Sequence, residues 1–190
     1  ILGLGQLSLT KVMVLVDKGI DVKNRGEVLE QIRKNFDPVD SIMLISQAPT
    51  DTLDFTSKKT HYGNKLVINA TTKSENVNLV PPVIPSDLKA IDRRINKWKL
   101  LKNTLLVVSV EKDGCDVVKN IINSPLISNI KMVAVVSSDI DVNNDVEVMW
   151  GIFTRFDPGD DIYFNKQEFI GAVPKYCLLY TSDAADEVQC

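Results

Sequence analysis

Two lysines stand where an apolar run begins, Lys11 before VMVLV and Lys131 before MVAVV. An ammonium at a strand end is a good point-charge partner for a phosphate, and it is equally an ordinary solvated flank. Spacing alone leaves both readings open. His61 is the only histidine. A Ser-His-Asp relay would have to run through it, yet no G-x-S-x-G elbow supplies the nucleophile, and the following Tyr62-Gly63 reads as a surface loop. Gly3 and Gly5 form G-x-G without the third glycine or the preceding strand of a dinucleotide fingerprint, so a tight turn is expected there. Asp139, Asp141, Asp157, Asp160 and Asp161 are matched at the same offsets by Asp21, Asp37 and Asp40, which favours turns and caps over a metal. EF-hand spacing is absent, and no metal-ligand set is expected.

A repeat sets the framework around these residues. Lys11 to Leu44 returns without a gap 120 positions later as Lys131 to Phe164, with 14 of 34 aligned positions identical. One supersecondary unit is therefore used twice. Each copy opens with a β-branched run, Val12 to Val16 and Met132 to Val136, that reads as a strand buried on both faces. Asn24 with Glu27, and Asn144 with Glu147, have capping-box spacing, so helices are expected from about residues 25 and 145. Val28, Leu29, Ile32 and Phe36, matched by Val148, Met149, Ile152 and Phe156, form one apolar stripe. Asp37-Pro38 and Asp157-Pro158 end the helices. Strands at Ser41 to Ile45 and Asp161 to Phe164 would complete right-handed parallel βαβ units. Leu66 to Ala70 and Thr104 to Val110 read as further strands, and Cys115 to Asn123 as a helix.

The fold class expected is α/β, two related modules with mostly parallel sheets flanked by helices. With 190 residues and 44% hydrophobic content each module can bury a usable core. A net charge of −3 argues against nucleic acid as a partner, and no 18-residue apolar run predicts a membrane span. Ser74 to Leu88 concentrates prolines and reads as a connector. The chain begins with Ile1 in mid-motif, so its true N-terminus is expected to lie upstream. Cys177 to Glu187, CLLYTSDAADE, resembles the translation of a transposon-derived sequencing-library adapter, and residues 177–190 are read as an artefactual tail. Setting the tail aside leaves Cys115 alone, with no disulfide framework, consistent with a reducing cytoplasm.

Taken in order, the motifs resemble a known family. QLSLTK, then VLVDKGIDVKNRGEVLEQI, NFDPVDSIMLISQAPTDTLDF and GNKLVINAT are similar to the C-terminal region of UbiD-type decarboxylases. That family carries Q-x-x-x-T-K, V-V-D-x-D-I-D-V, a helix, R-x-D-P-x-x-D and G-x-K-x-x-x-D-A-T. Gly19 replaces the usual acidic residue of D-I-D, and Asn69 stands where aspartate is common. The repeated unit is similar to the longer members associated with menaquinone biosynthesis.

The resemblance implies a non-oxidative decarboxylase of aromatic or α,β-unsaturated acids in menaquinone or ubiquinone biosynthesis. It would use prenylated FMN with a divalent metal, Mn or Mg, and possibly potassium. It places the catalytic arginine, glutamates and metal ligands upstream, so this fragment alone would be inactive. By the same resemblance Lys11 contacts the flavin cofactor, Pro49, Thr50 and Leu53 border the substrate pocket, and Lys131 is structural. The implied partners are a small aromatic acid substrate, the protein's own N-terminal flavin-binding domain and further copies in a homo-oligomer. The domain reading is a UbiD C-terminal-type module over 1–75, a Pro-containing linker over 76–102, a second module over 103–176 and the tail. The alternative is a non-catalytic oligomerisation module that pairs through its helix faces.

Overall fold

The computed structural model describes residues 9–37, 41–51, 54–73 and 79–163, together with the backbone of three short strands at 168–170, 173–175 and 179–182. Strand β1 (Val12–Leu15) leads into helix α1 (Arg25–Asn35), then β2 (Ile42–Pro49) and β3 (Tyr62–Asn69). A 3-10 turn at Leu88–Ala90 precedes β4 (Ile95–Leu101), β5 (Leu105–Val110), α2 (Gly114–Ile122), β6 (Met132–Ser137), α3 (Asp145–Thr154) and β7 (Ile162–Tyr163). β8 (Glu168–Ile170), β9 (Val173–Lys175) and β10 (Leu179–Ser182) follow. Gly3, Gly5, Pro38, Asp40 and Leu53 lie outside the described residues.

Both helices start as their sequences predict. Asn24 Oδ1 accepts from Gly26 N at 3.1 Å, and Asn144 Oδ1 accepts from Val146 N at 3.1 Å and Glu147 N at 3.4 Å. The glutamates differ from a standard capping box. Glu27 and Glu147 accept from the cap's side-chain amide and then reach past it to Asp21 N and Asp141 N, both at 3.1 Å. Each carboxylate thereby ties the IDV turn to the first helical turn, where negative charge also suits the helix dipole.

The sheets correct the expected topology. β1 pairs with β3 in parallel, but β3 pairs with β2 antiparallel, giving the order β1-β3-β2. β1-α1-β2 is therefore not a parallel crossover. β3 lies between the two strands, paired on both edges, and is the most buried of the three. The second copy repeats this plan, with β6 parallel to β10 and β10 antiparallel to β7. β5-α2-β6 is a true parallel crossover. The 76–102 segment also carries β4, which pairs antiparallel with β5 at the edge of the five-stranded sheet β4-β5-β6-β10-β7. Lys97 and Lys99 mask its strand pattern, as charges on an edge strand do. The backbone of β10 fills the slot that β3 fills in the first copy, a place an extended segment can occupy through main-chain hydrogen bonds alone.

The two copies share one core. Ile32, Phe36, Leu66 and Ile68 of the first pack with Leu105, Met132, Ala134, Val148, Ile152 and Phe156 of the second. β5 and β6 send alternate residues to this core and to another beneath α2, formed by Leu106, Val108, Val117, Val118, Ile121, Val133 and Val135. Those strands are buried on both faces, as expected. β1 is not: it is only half-buried, and Leu15 is 38% exposed. Across the described residues no helix covers the outer face of the three-stranded sheet as α2 covers β5 and β6. Cys115 is disulfide-bonded rather than the lone thiol expected.

The contacts between copies are reciprocal. Lys11 Nζ donates to Phe156 O at 2.9 Å, and its counterpart Lys131 Nζ donates to Phe36 O, the counterpart carbonyl, at 3.1 Å. Arg25 Nη1 donates to Asp145 O, its own equivalent position, at 3.2 Å. A contact i to j matched by j to i, with equivalent residues meeting, is the signature of an isologous twofold interface, here within one chain.

The loop after α3 seals this interface. Asp157 Oδ1 accepts from Asn64 Nδ2 at 2.6 Å and from Gly159 N at 2.8 Å, and Lys58 Nζ meets Asp160 Oδ1 at 2.7 Å. A Cβ on Gly159 would lie 2.2 Å from Asn64 Nδ2, so a larger residue there would displace the Asn64 amide from this contact. Asp161 accepts from Asp157 N at 2.7 Å, yet burial first, and then the carboxylates of Asp157 and Asp160, push its carboxyl up to about 6.

The folded chain holds the Asp161 proton more tightly than the unfolded chain does, so its contribution to stability is present below about pH 4 and lost as pH rises to about 6. The difference in urea-unfolding free energy between wild type and Asp161→Asn should shift across that window, and a pH-independent difference would refute the assignment. Asn144→Ala removes two bonds from the α3 terminus and should cost about 1 kcal/mol, read as a lower urea midpoint at unchanged slope.

Candidate functional site

Lys11 lies just before β1, beside the end of α3. Its ammonium is saturated: besides Phe156 O it donates to Asp54 Oδ1 at 2.8 Å and Thr56 Oγ1 at 2.9 Å. Burial would raise the Asp54 carboxyl, but hydrogen bonds from Lys11 and Thr56 outweigh it and hold the group below its ordinary value. Among the described residues Lys131 makes the structural half of this arrangement, the bond to Phe36 O. The loop between β2 and β3 thus brings a carboxylate and a hydroxyl to Lys11.

An open cleft of about 530 Å³ lies in front of Lys11, lined by Asp51, Asp54, Phe55, Trp150 and Arg155 among others. Trp150 is 59% exposed and Phe55 87% exposed. Arg155 stacks over Trp150 with its guanidinium carbon 5.8 Å from the ring centre. It also holds Asp139 through both terminal nitrogens and donates to Ser137 Oγ at 2.6 Å. The Asp139 carboxyl is accordingly held far below its usual range, chiefly by the Arg155 hydrogen bonds.

The repeat explains a departure seen in the sequence. Arg155 and Asp139 correspond to Asn35 and Gly19 in the first copy, which lacks both members of the ion pair. Asn35 instead donates to Ala70 O at 3.0 Å, and Gly19 takes a φ of 103°, in the left-handed region that glycine favours.

The cleft matches two cations with two carboxylates. It supplies the donor types that a phosphate takes, an ammonium, a hydroxyl and a guanidinium, but a phosphate reaches the ammonium only if Asp54 turns away from it. Among the described residues no group of three His, Cys, Asp or Glu side chains could hold a metal ion.

Pro49 and Thr50 do not line this cleft. Pro49 is exposed at the end of β2, while Thr50 is 4% exposed and packs near Gly63 and Ser57. The hydroxyls of Thr50 and Ser57 are buried without a hydrogen-bond partner. His61 sits exposed in a turn at a φ of 65°, as the loop reading expects. Asp54, Thr56 and Arg155 are not singled out by sequence reasoning, although Arg155 falls within the repeated TRFDP. Lys65 also escapes it: 1% exposed in mid-strand, it reaches Thr10 O at 3.1 Å, and burial lowers its pKa. A lysine inside the apolar run GNKLVIN is the signal that could have found it.

Comparison with known proteins gives the family. The profile of the 3-octaprenyl-4-hydroxybenzoate carboxy-lyase C-terminal domain matches residues 1–70 and 98–174. A protein of Helicobacter pylori is 30% identical over 182 residues, covering 88% of this chain and 28% of that protein. A 4-hydroxybenzoate decarboxylase component of Chlamydia pneumoniae is 22% identical over 195 residues, covering 97% of this chain and 31% of that one. Among solved structures, the UbiD-class enzyme HmfF from Pelotomaculum thermopropionicum in complex with FMN aligns at a TM-score of 0.39 and 15% identity, over 75% of this chain and 38% of that one. The chain spans less than a third of the length of these curated relatives. With the profile running through both copies and over more than half of the residues, the chain belongs to the UbiD carboxy-lyase family, as its C-terminal domain.

Proposed function

We propose that the chain is the C-terminal part of a non-oxidative decarboxylase acting on an aromatic or unsaturated carboxylic acid in menaquinone or ubiquinone biosynthesis, with prenylated FMN as cofactor. The observation that carries this reading is the family profile, which runs through both copies of the repeat. Relatives more than three times longer support assigning the acid–base groups and the metal ligands to the remainder of the parent, and this part alone is inactive. When bound, the flavin supplies an electron sink for the pair released as CO₂ leaves. A divalent Mn or Mg, and potassium, would be held mainly by that remainder.

Lys11 is this chain's contribution to the cofactor site. Its ammonium faces an open cleft at 14% side-chain exposure, whereas Lys131, among the described residues, bonds the interface carbonyl Phe36 O. Lys11 and Thr56 would bind the flavin phosphate, with Asp54 as the lid that the anion displaces. Pro49, Thr50 and Leu53 belong to the substrate side, and the unpartnered Thr50 hydroxyl is the atom there with a bond to offer. The boundaries 1–75, 76–102 and 103–176 then describe ancestry, since the copies share a core. Residues 177–190 are an artefactual tail, in keeping with a profile that stops at 174.

The alternative, an oligomerisation module using its helix faces, is weakened because the stripes of α1 and α3 are spent on the shared core. What remains for contact between copies in a homo-oligomer is the outer face of the three-stranded sheet, where Met43 is 58% exposed.

In the full-length parent, Lys11→Ala should weaken flavin retention about 10- to 100-fold, the loss of one charged hydrogen bond of about 1.5–3 kcal/mol. Asp54→Asn should retain flavin at least as well as wild type. Unchanged retention in Lys11→Ala, measured by absorbance after gel filtration, would return Lys11 to a purely structural role.

A further inference from the structure

The turn that follows each repeated helix is built twice, and its closing residue differs. In the first copy Ser41 Oγ accepts from Asp37 N at 2.8 Å, while Ser41 N donates to Asp37 O at 2.8 Å. In the second copy Asp161 Oδ2 accepts from Asp157 N at 2.7 Å, while Asp161 N donates to Asp157 O at 2.9 Å. The backbone pattern is the same, but a hydroxyl closes one turn and a carboxyl group the other. The closing atom of the first is neutral, and Lys73 Nζ adds a bond to it at 2.6 Å. The second turn instead gathers Asp157, Asp160 and Asp161 within its length.

The groups facing Asp161 decide what its charge does. Burial first, and then Asp157 and Asp160 of its own loop, favour the protonated form, while Lys11 ahead of β1 acts the other way. Lys58 of the β2–β3 loop is raised by Asp160 first and also by Asp157 and Asp161, and the Tyr163 phenol on β7 is raised by burial and then by Asp161 and Asp116. Both lysines are committed, Lys58 to Asp160 at 2.7 Å and Lys11 to Asp54 at 2.8 Å. Asp157 is 3% exposed and held by the neutral donors Asn64 Nδ2 and Gly159 N. A second full charge beside it in this half-buried loop is costly. A proton on Asp161 removes that cost and still leaves an oxygen to accept from Asp157 N, so the turn closes as its serine counterpart does.

We propose that the 157–161 loop is a proton-operated clasp across the two copies. With Asp161 protonated, the loop holds Asn64 and Lys58 of the first copy and keeps in place the neighbouring Phe156 carbonyl on which Lys11 rests. Loss of the proton sets three carboxylates against one another, and the loop opens more often. The clasp is one-sided, because the hydroxyl of Ser41 in the equivalent turn does not titrate in this range. It does not depend on the cofactor assignment of Lys11.

The test is amide hydrogen exchange of the whole chain, followed by NMR between pH 5 and 7.5 and corrected for the intrinsic pH dependence of exchange. A carboxyl that titrates near 6 in the closed loop and near 4 in the open one makes opening about 10-fold more frequent over this range. Protection of the Asp160 and Asp161 amides should fall by that factor, while the Ser41 amide, the control within the same molecule, holds constant. The Asn64 side-chain amide should shift with a midpoint near pH 6, reporting the change on the other side of the junction. Asp161→Ser, which installs the first copy's residue, should abolish both effects, with Asp161→Asn as the second variant should the first fail to fold. Constant protection at Asp160 and Asp161 in the wild type, an equal fall at Ser41, or a fall that persists in a folded variant would each overturn the clasp. An Asn64 amide that does not titrate would overturn its reach across the copies.

Discussion

One reciprocal contact holds the two halves in place: each copy's leading lysine reaches across to the carbonyl that closes the other copy's helix. Lys11 to Phe156 O and Lys131 to Phe36 O fix the halves at a shared axis, and both lysines lie beside the apolar stripes that form the common core. A cation at a helix C-terminus satisfies an orphan carbonyl and complements the dipole, so the same residue sets both the helix end and the angle between the copies. Neither copy has a complete core without the other. The three-stranded sheet would lose the cover over Leu66 and Ile68, and the five-stranded sheet the cover of one of its two faces.

Symmetry supplies the frame, and its violations supply the chemistry. The β2–β3 loop brings Asp54 and Thr56 to Lys11, while among the described residues Lys131 bonds the Phe36 carbonyl. The Arg155–Asp139 pair exists in the second copy, while Asn35 and Gly19 hold its place in the first. Both changes converge on the same cleft, where the modified lysine of one copy faces the arginine of the other. A duplicated unit can vary this way at modest cost, because each half retains the contacts that hold it to its partner.

Much of the architecture is legible because it rests on local rules. The cap asparagines, the stripes ending at Phe36 and Phe156, and the IDV turns each depend on residues within a few positions of one another. β5 and β6 read as strands buried on both faces because both faces carry branched apolar residues. β4 stays hidden for the opposite reason: at a sheet edge Lys97 and Lys99 interrupt its apolar run, and the strand pattern disappears beneath them. The expected parallel crossover fails because alternation identifies a strand without identifying its neighbour.

The repeat, the helix boundaries, the turn aspartates and, through ordered motifs, the family are all written in the order of residues. They follow from spacing along the chain, which short-range hydrogen bonding and periodic burial impose directly. Three facts needed the folded molecule: β3 lies between β1 and β2, the copies face one another about an axis, and Lys11 is held by Asp54, Thr56 and Phe156. The bonds to Lys11 join residues 43 to 145 positions apart. No local preference encodes such pairs; they arise when two amphipathic units bury their apolar faces against each other and bring polar groups at the margin within bonding distance.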